Sequence, residues 1–339
     1  MIDSVVIPLI KIVVILNALL LAVSYLVLLE RKVIAWVQVR LGPMRVGPHG
    51  ALQPIADAVK LLLKEDITPA RADKWVFTLA PIVSMVPALI AFAVIPFGRE
   101  VTLFGYTVPL FVADVNVGLL YIVSITSIGV YGIILAGYAS NSKFPLLSGL
   151  RASAQLISYE IAVTMMLVSV VATAGTLSMV GITEAQQYQQ VWYVFIQPVA
   201  FVVLFIGGLA ETNRSPFDLP EAEQELVGGF HTEYSGMRFA LFFLAEYANM
   251  IVVAAMATTL FFGGWLRPFP NVEALWILDY VPGWLWFVLK TFGFIYLTMW
   301  IRATLPRYRY DQLMRLGWKV LIPVGIANLV VTAIVKVLL

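Results

Sequence analysis

Apolar stretches long enough to cross a bilayer recur eight times along the sequence, at 5–29, 76–96, 115–138, 155–178, 191–211, 238–262, 284–304 and 319–338. A hydrocarbon core about 30 Å thick takes roughly 20 helical residues, and within it every backbone N–H and C=O must bond inside its own segment. The pattern therefore predicts an all-α, polytopic membrane protein with about eight transmembrane helices. Composition agrees: 61% of the 339 residues are hydrophobic and 12% are charged, where a soluble domain carries about a quarter charged. No soluble-looking block exceeds about fifty residues, so a single transmembrane domain over 1–339 is expected.

The first apolar run is too long for the core of a signal peptide, and it ends at Glu30-Arg31-Lys32 rather than at small residues. It is expected to stay as a membrane helix. The segment from Arg31 to Lys74 carries eight Lys/Arg, and Arg302 to Lys319 carries five. The segments 97–114, 179–190 and 263–283 together carry only Arg99 and Arg267. By the positive-inside rule the basic segments face the cytoplasm, and an even number of spans places both termini on the outer side. With nothing resembling a targeting peptide, a bacterial plasma (inner) membrane is the expected location.

Two connections have a structure of their own. Leu52, Ile55, Ala56, Val59, Leu62 and Leu63 follow a helical period, with Gln53, Asp57, Lys60 and Lys64 on other faces. This predicts an amphipathic helix lying at the membrane surface or against the bundle. Between the second and third spans, Glu100–Val112 is rich in β-formers around Gly105, which predicts a short outer hairpin. Neither a fixed-period repeat nor a pair of broken helices is apparent in the sequence, which argues against an inverted-repeat transporter.

The chemistry concentrates in acidic residues. Segment 211–235 faces the inside, yet holds Glu211, Asp218, Glu221, Glu223, Glu225 and Glu233 beside the one arginine Arg214. Helical or extended, Glu221 and Glu225 crowd on one side, and crowded carboxylates hold protons more tightly. A solvated acidic loop is the plain reading. Pro216, Phe217, Leu219, Pro220, Leu226, Val227 and Phe230 argue for an ordered one. Glu160, Glu211 and Glu246 lie in or at the ends of spans, all in the inner half of the membrane. A charge at a helix centre costs about 2.5–3.5 kcal/mol on insertion scales, so such residues face a cavity, find a partner or stay protonated. One such residue is explained by snorkelling; three at similar depth predict a proton path.

Other chemistries are excluded. The sequence has no cysteine, which removes disulfides, thiolate metal sites and cluster ligation by this chain. His49 and His231 are too few for a histidine metal site, so no metal is expected. There is no Walker loop, GxGxxG or HExxH, hence no visible site for NADH, ATP or flavin.

Four long strings resemble one family. They are Glu30-Arg-Lys-Val-Ile-Ala-Trp-Val-Gln-Val-Arg-Leu-Gly-Pro, then Val46 to Glu65, then Arg214-Ser-Pro-Phe-Asp-Leu-Pro-Glu-Ala-Glu-Gln-Glu to Ser235, and Arg302-Ala-Thr-Leu-Pro-Arg-Tyr-Arg-Tyr-Asp-Gln-Leu-Met. In order, and over almost the whole chain, they resemble the H-type membrane subunit (subunit 1) of proton-pumping NADH:quinone oxidoreductase, respiratory complex I. One departure is Met44, where the family often has Asn in its Gly-Pro-Asn-Arg-Val-Gly run.

The resemblance implies a subunit of an enzyme that carries no redox centre itself and takes quinone as substrate, with FMN and iron–sulfur clusters on partner subunits. Its expected partners are the hydrophilic quinone-module subunits, neighbouring membrane-arm subunits and lipid, with no nucleic acid. Glu160, Glu211 and Glu246 match the family's buried glutamates, and Asp218, Glu221, Glu223, Glu225 and Glu233 its acidic loop. Arg31, Arg40, Arg45, Asp57, Phe230, Arg302 and Arg307 match positions near the quinone chamber. The equivalent component of a ferredoxin-, reduced-deazaflavin- or hydrogenase-linked membrane complex is the nearest alternative. A stand-alone ion or solute transporter is the alternative from another class.

Overall fold

The computed structural model describes residues 7–103, 106–218, 228–269 and 273–338. Its helices, in chain order, are α1 (Ile7–Val37), α2 (Gln53–Leu63), α3 (Lys74–Ile90), α4 (Gly118–Ala139), α5 (Lys143–Ala174) and α6 (Met179–Gln189). They continue as α7 (Tyr193–Ile196), α8 (Pro198–Glu211), α9 (Gly236–Phe261), α10 (Gly283–Thr304), α11 (Tyr310–Leu316) and α12 (Ile322–Leu338). Among the described residues seven helical units are long and apolar enough to cross a membrane, α11 and α12 counting as one continuous unit. The chain is a multi-pass membrane protein. The hairpin also forms: β1 (Glu100–Leu103) pairs antiparallel with β2 (Tyr106–Pro109), Thr102 opposite Thr107.

The expected span at 191–211 is a broken one. Pro198 lacks an N–H and disfavours helical backbone at the residue before it, and Gln197 accordingly sits at φ −126°, ψ 54°, between α7 and α8. The Gln197 side chain at the break is buried and bonded to two other helices. Gln197 donates to Thr173 on α5 (3.2 Å) and Thr332 on α12 (2.9 Å), and accepts from Asn328 (3.1 Å). Hydropathy gave no sign of a broken helix; there is one. The fourth span also starts earlier than hydropathy suggests, at Lys143 rather than 155.

Of the spanning units, α9 buries the largest share of its length, and α1 and the last unit the smallest. Helices α3 and α4 approach closely at Gly132, where an added Cβ would lie 2.7 Å from the Ser84 nitrogen and 2.9 Å from its Cα. Backbone cannot yield there as a side chain would. Gly132→Ala is therefore expected to cost about 1–3 kcal/mol by overpacking, read as a lower unfolding midpoint of the solubilised protein.

The apolar edge of α2 faces away from the bundle. Leu52, Ile55, Val59, Leu62 and Leu63 are all exposed, Leu63 at 82%. Its polar side turns to α1: Asp57 accepts from Arg31 (2.7 Å) and from Gln53 (2.9 Å). Of the two placements the sequence allows, the chain's own bundle does not cover the apolar edge.

Candidate functional site

The three glutamates of the spans meet. Glu160 on α5, Glu211 at the end of α8 and Glu246 on α9 line one small cavity of about 50 Å³ that is partly open to its surroundings. Ser84 of α3, Thr126 and Ser127 of α4, Asn213, Phe230, His231 and Asn249 complete much of its wall. The Ser127 hydroxyl is hydrogen-bonded to the Glu160 carboxyl group. Because α5 starts at Lys143 rather than at 155, Glu160 lies nearly five turns along it, and it reaches the same cavity as the other two.

Beside this cavity stands a buried arginine. Arg214 follows α8, and its side chain is 4% exposed. One guanidinium nitrogen lies 3.3 Å from Glu30 of α1, and another 3.5 Å from Glu246 of α9. Its carbon sits 4.2 Å from the centroid of the Tyr247 ring. Glu30, 6% exposed, is held from the other side by Arg302 of α10. A planar, permanently charged guanidinium with forked donors is the side chain suited to bridging two buried carboxylates. One arginine thus ties α1 to α9, and Glu246 belongs both to the cavity and to this ion network.

The segment after Arg214 is strapped to the segment before α11. Asp218, buried, accepts from Arg307 at 3.0 Å. Phe217 stacks on Tyr308 at 5.7 Å, and the Tyr308 N–H donates to the Pro216 carbonyl at 3.0 Å. From α5, the amide of fully buried Gln155 donates to the carbonyls of Ala210 (2.9 Å) and Phe217 (3.0 Å). The next turn carries Tyr159, which donates to Leu313 of α11 at 3.0 Å.

Phe230 packs edge-on against Phe242 at 5.4 Å, in a cluster where Tyr234 stacks on Phe77 at 3.9 Å. Burial pushes the Tyr234 hydroxyl well above the usual tyrosine range, with Arg238 offsetting part of the rise. Arg238 pairs with Asp66 at 3.0 Å and so ties the end of the α2 loop to the start of α9.

The remaining sequence candidates are spread more widely. Arg31 and Asp57 pair at the α1–α2 surface. Arg40 and Arg45 are exposed and do not line the cavity. Glu233 is half-buried and also stands outside the cavity wall. Glu221, Glu223 and Glu225 lie outside the described residues. Among the described residues no group of three His, Cys, Asp or Glu is placed to hold a metal ion.

Glu30, Arg214, Ser127 and Gln155 do not stand out as site residues in the sequence. One signal was available for Arg214, the lone arginine of an acidic segment.

The NADH dehydrogenase family model matches residues 10–333. An H-type subunit of NADH-quinone oxidoreductase from Geobacter sulfurreducens is 54% identical over 336 residues, covering 96% of this chain and 93% of that one. The chain belongs to the H-type family of NADH-quinone oxidoreductase subunits. A second H-type relative, from Geobacter metallireducens, is 54% identical over 336 residues, covering 96% and 94%. That of Syntrophotalea carbinolica is 50% identical over 324 residues, again covering 96% and 94%. The four strings that resemble the H-type family fall on the elements that build the site. The first supplies Glu30 and Arg31, the second α2, the third Arg214 and Asp218, and the fourth Arg302 and Arg307.

Proposed function

We propose that this chain is the membrane subunit of a proton-translocating NADH:quinone oxidoreductase, forming part of the quinone chamber and coupling quinone reduction to proton movement. The observation that carries this is the shared cavity of Glu160, Glu211 and Glu246, joined through Glu246 to the ion network of Arg214, Glu30 and Arg302. The chain sits in a bacterial inner membrane with both termini outside, and all of 1–339 acts as one transmembrane domain. Electrons arrive from iron–sulfur clusters and FMN on partner subunits, since this chain has no cysteine to ligate a cluster.

Quinone enters from lipid between helices at the inner side and takes two electrons and two protons. The positions Arg31, Arg40, Arg45, Asp57, Phe230, Arg302 and Arg307 surround its route. The change of charge acts on the buried pairs nearest the inner loops, Asp218 with Arg307 and Arg214 with its two glutamates. Protons then redistribute among Glu160, Glu211 and Glu246, with Glu221, Glu223, Glu225 and Glu233 as the loop that feeds them. A buried ionisable group inside a membrane is retained for such a task, and the switch is local electrostatics acting on a packed element.

The test is NADH-driven quinone reduction in inner-membrane vesicles with and without this chain, with lumen acidification followed in parallel. Loss of both signals, restored by the chain, is expected. Unchanged NADH-driven signals would move the chain to an enzyme with another electron donor. The break at Gln197–Pro198 favours a second reading, a self-sufficient transporter, because broken helices build substrate sites in such proteins. Ion or solute uptake by vesicles containing the purified chain alone would select it.

A further inference from the structure

The C-terminal end of α9 is capped by side chains from two other helices. Past Phe261 the chain turns through Gly263 and Gly264, at φ 68° and 52°, a left-handed pair that glycine takes without penalty. The turn aims the carbonyls of Phe262, Gly264 and Leu266 at one point. The ammonium of Lys290, on α10, occupies that point and donates to all three, at 2.7, 3.1 and 2.6 Å. An ammonium has three donors, and each is used. The Trp192 ring covers a further side, 4.9 Å from the nitrogen, and packs against Phe262 and Phe269 at 5.4 Å each. On the other flank, fully buried Gln186 of α6 donates to the Thr259 and Leu260 carbonyls at 2.9 and 3.2 Å.

Three carbonyl oxygens and an aromatic face are the ligands of a small monovalent cation. Among the described residues Lys290 has no carboxylate partner, so its charge is met by backbone dipoles and a ring. We propose that this cage is a built cation site filled by the chain's own Lys290, and that this internal ion latches the turn at 262–266, which ends α9, closed. The cage selects a primary ammonium because its oxygens accept N–H bonds. When the lysine is shortened, a free primary ammonium ion takes its place. The latch fixes the end of the helix that carries Glu246 about 24 Å away, at 1.5 Å per residue. The inference stands whether or not the activity proposed above is correct.

The chain lacks cysteine, so Leu266→Cys provides a single reporter at a site 9% exposed in the native turn. The assembled, detergent-solubilised protein is reacted with a maleimide, and labelling is read on this chain after its partners are separated by denaturing electrophoresis. With Lys290→Ala, labelling is expected to quicken at least about tenfold as the turn opens locally. Methylammonium is expected to return it to the slow rate, and tetramethylammonium, which has no N–H, to leave it fast. Unchanged labelling in Lys290→Ala overturns the proposal, as does equal slowing by both ions. Lys290→Met, which fills the same space without charge, is the second variant should Lys290→Ala fail to accumulate. Fast labelling there supports the latch, and slow labelling shows that apolar packing alone closes the turn.

Discussion

Arg214→Met is expected to lower the stability of the chain by about 3–5 kcal/mol, the range for removing one partner of a buried charge pair. The guanidinium stands between Glu30 and Glu246, with its own side chain 4% exposed and those of the glutamates 6% and 15%. Methionine fills much of the volume but leaves Glu246 without its arginine and Glu30 held by Arg302 alone. The tie between α1 and α9 is lost, so the effect reaches the packing of the bundle. Arg302→Met is expected to cost less, because that side chain is 27% exposed and water can screen what remains. Arg214→Lys recovers only part of the loss, since a point charge cannot bridge both carboxylates as a fork does. The measurement is the unfolding midpoint of the solubilised protein, together with a double-mutant cycle. Glu30→Gln in the Arg214→Met background should restore much of the lost stability. Additive effects of the two substitutions, or a midpoint unmoved by Arg214→Met, would show that the network does not tie α1 to α9.

The spans are legible in the sequence because lipid imposes a length and a composition on each of them. Helix α2 is legible from its 3.6-residue apolar period, and the hairpin from β-formers flanking Gly105. The break at Pro198 escapes a hydropathy window, which sums composition and is blind to one missing N–H. The early start of α5 escapes for the opposite reason. Ser148, Ser153 and Gln155 lower the local hydropathy, yet all are buried on a continuing helix. Gln155 is tolerated because carbonyls 55 and 62 residues away accept from it.

The candidate site divides in the same manner. Glu160, Glu211 and Glu246 announce themselves as carboxylates in apolar surroundings, and they converge on one cavity. Glu30 does not, because Glu30-Arg31-Lys32 reads as the charged flank that ends a span. In fact α1 continues to Val37 and buries Glu30, whose partners Arg214 and Arg302 lie 184 and 272 residues along the chain. A pairing at that separation leaves no local pattern. Lys290 is equally silent, since a lysine within an apolar run gives no sign of which carbonyls will surround it.

Glu211→Gln tests the proton-carrying role proposed for the cavity apart from a structural one. Glutamine keeps the shape of the side chain and its hydrogen-bonding capacity but cannot exchange a proton. Glu211 closes α8 and faces the same space as Glu160 and Glu246, so its loss leaves two proton-carrying carboxyls on that wall where three stood. Quinone reduction and lumen acidification are both expected to fall at least about tenfold, a rise of about 1.4 kcal/mol in the limiting barrier. Assembly should be preserved, since no charge is left unpaired by the change. Glu211→Asp keeps the proton but shortens the reach by one methylene, and intermediate rates are expected. Glu65→Gln is the matched control. That residue is exposed and outside the cavity wall, and its loss should change the rates far less. Both activities are measured in the same vesicles against the amount of assembled chain. Normal coupled turnover in Glu211→Gln would remove this residue from the path, while equal losses in Glu211→Gln and Glu65→Gln would point to acidic charge at the inner face rather than to the cavity.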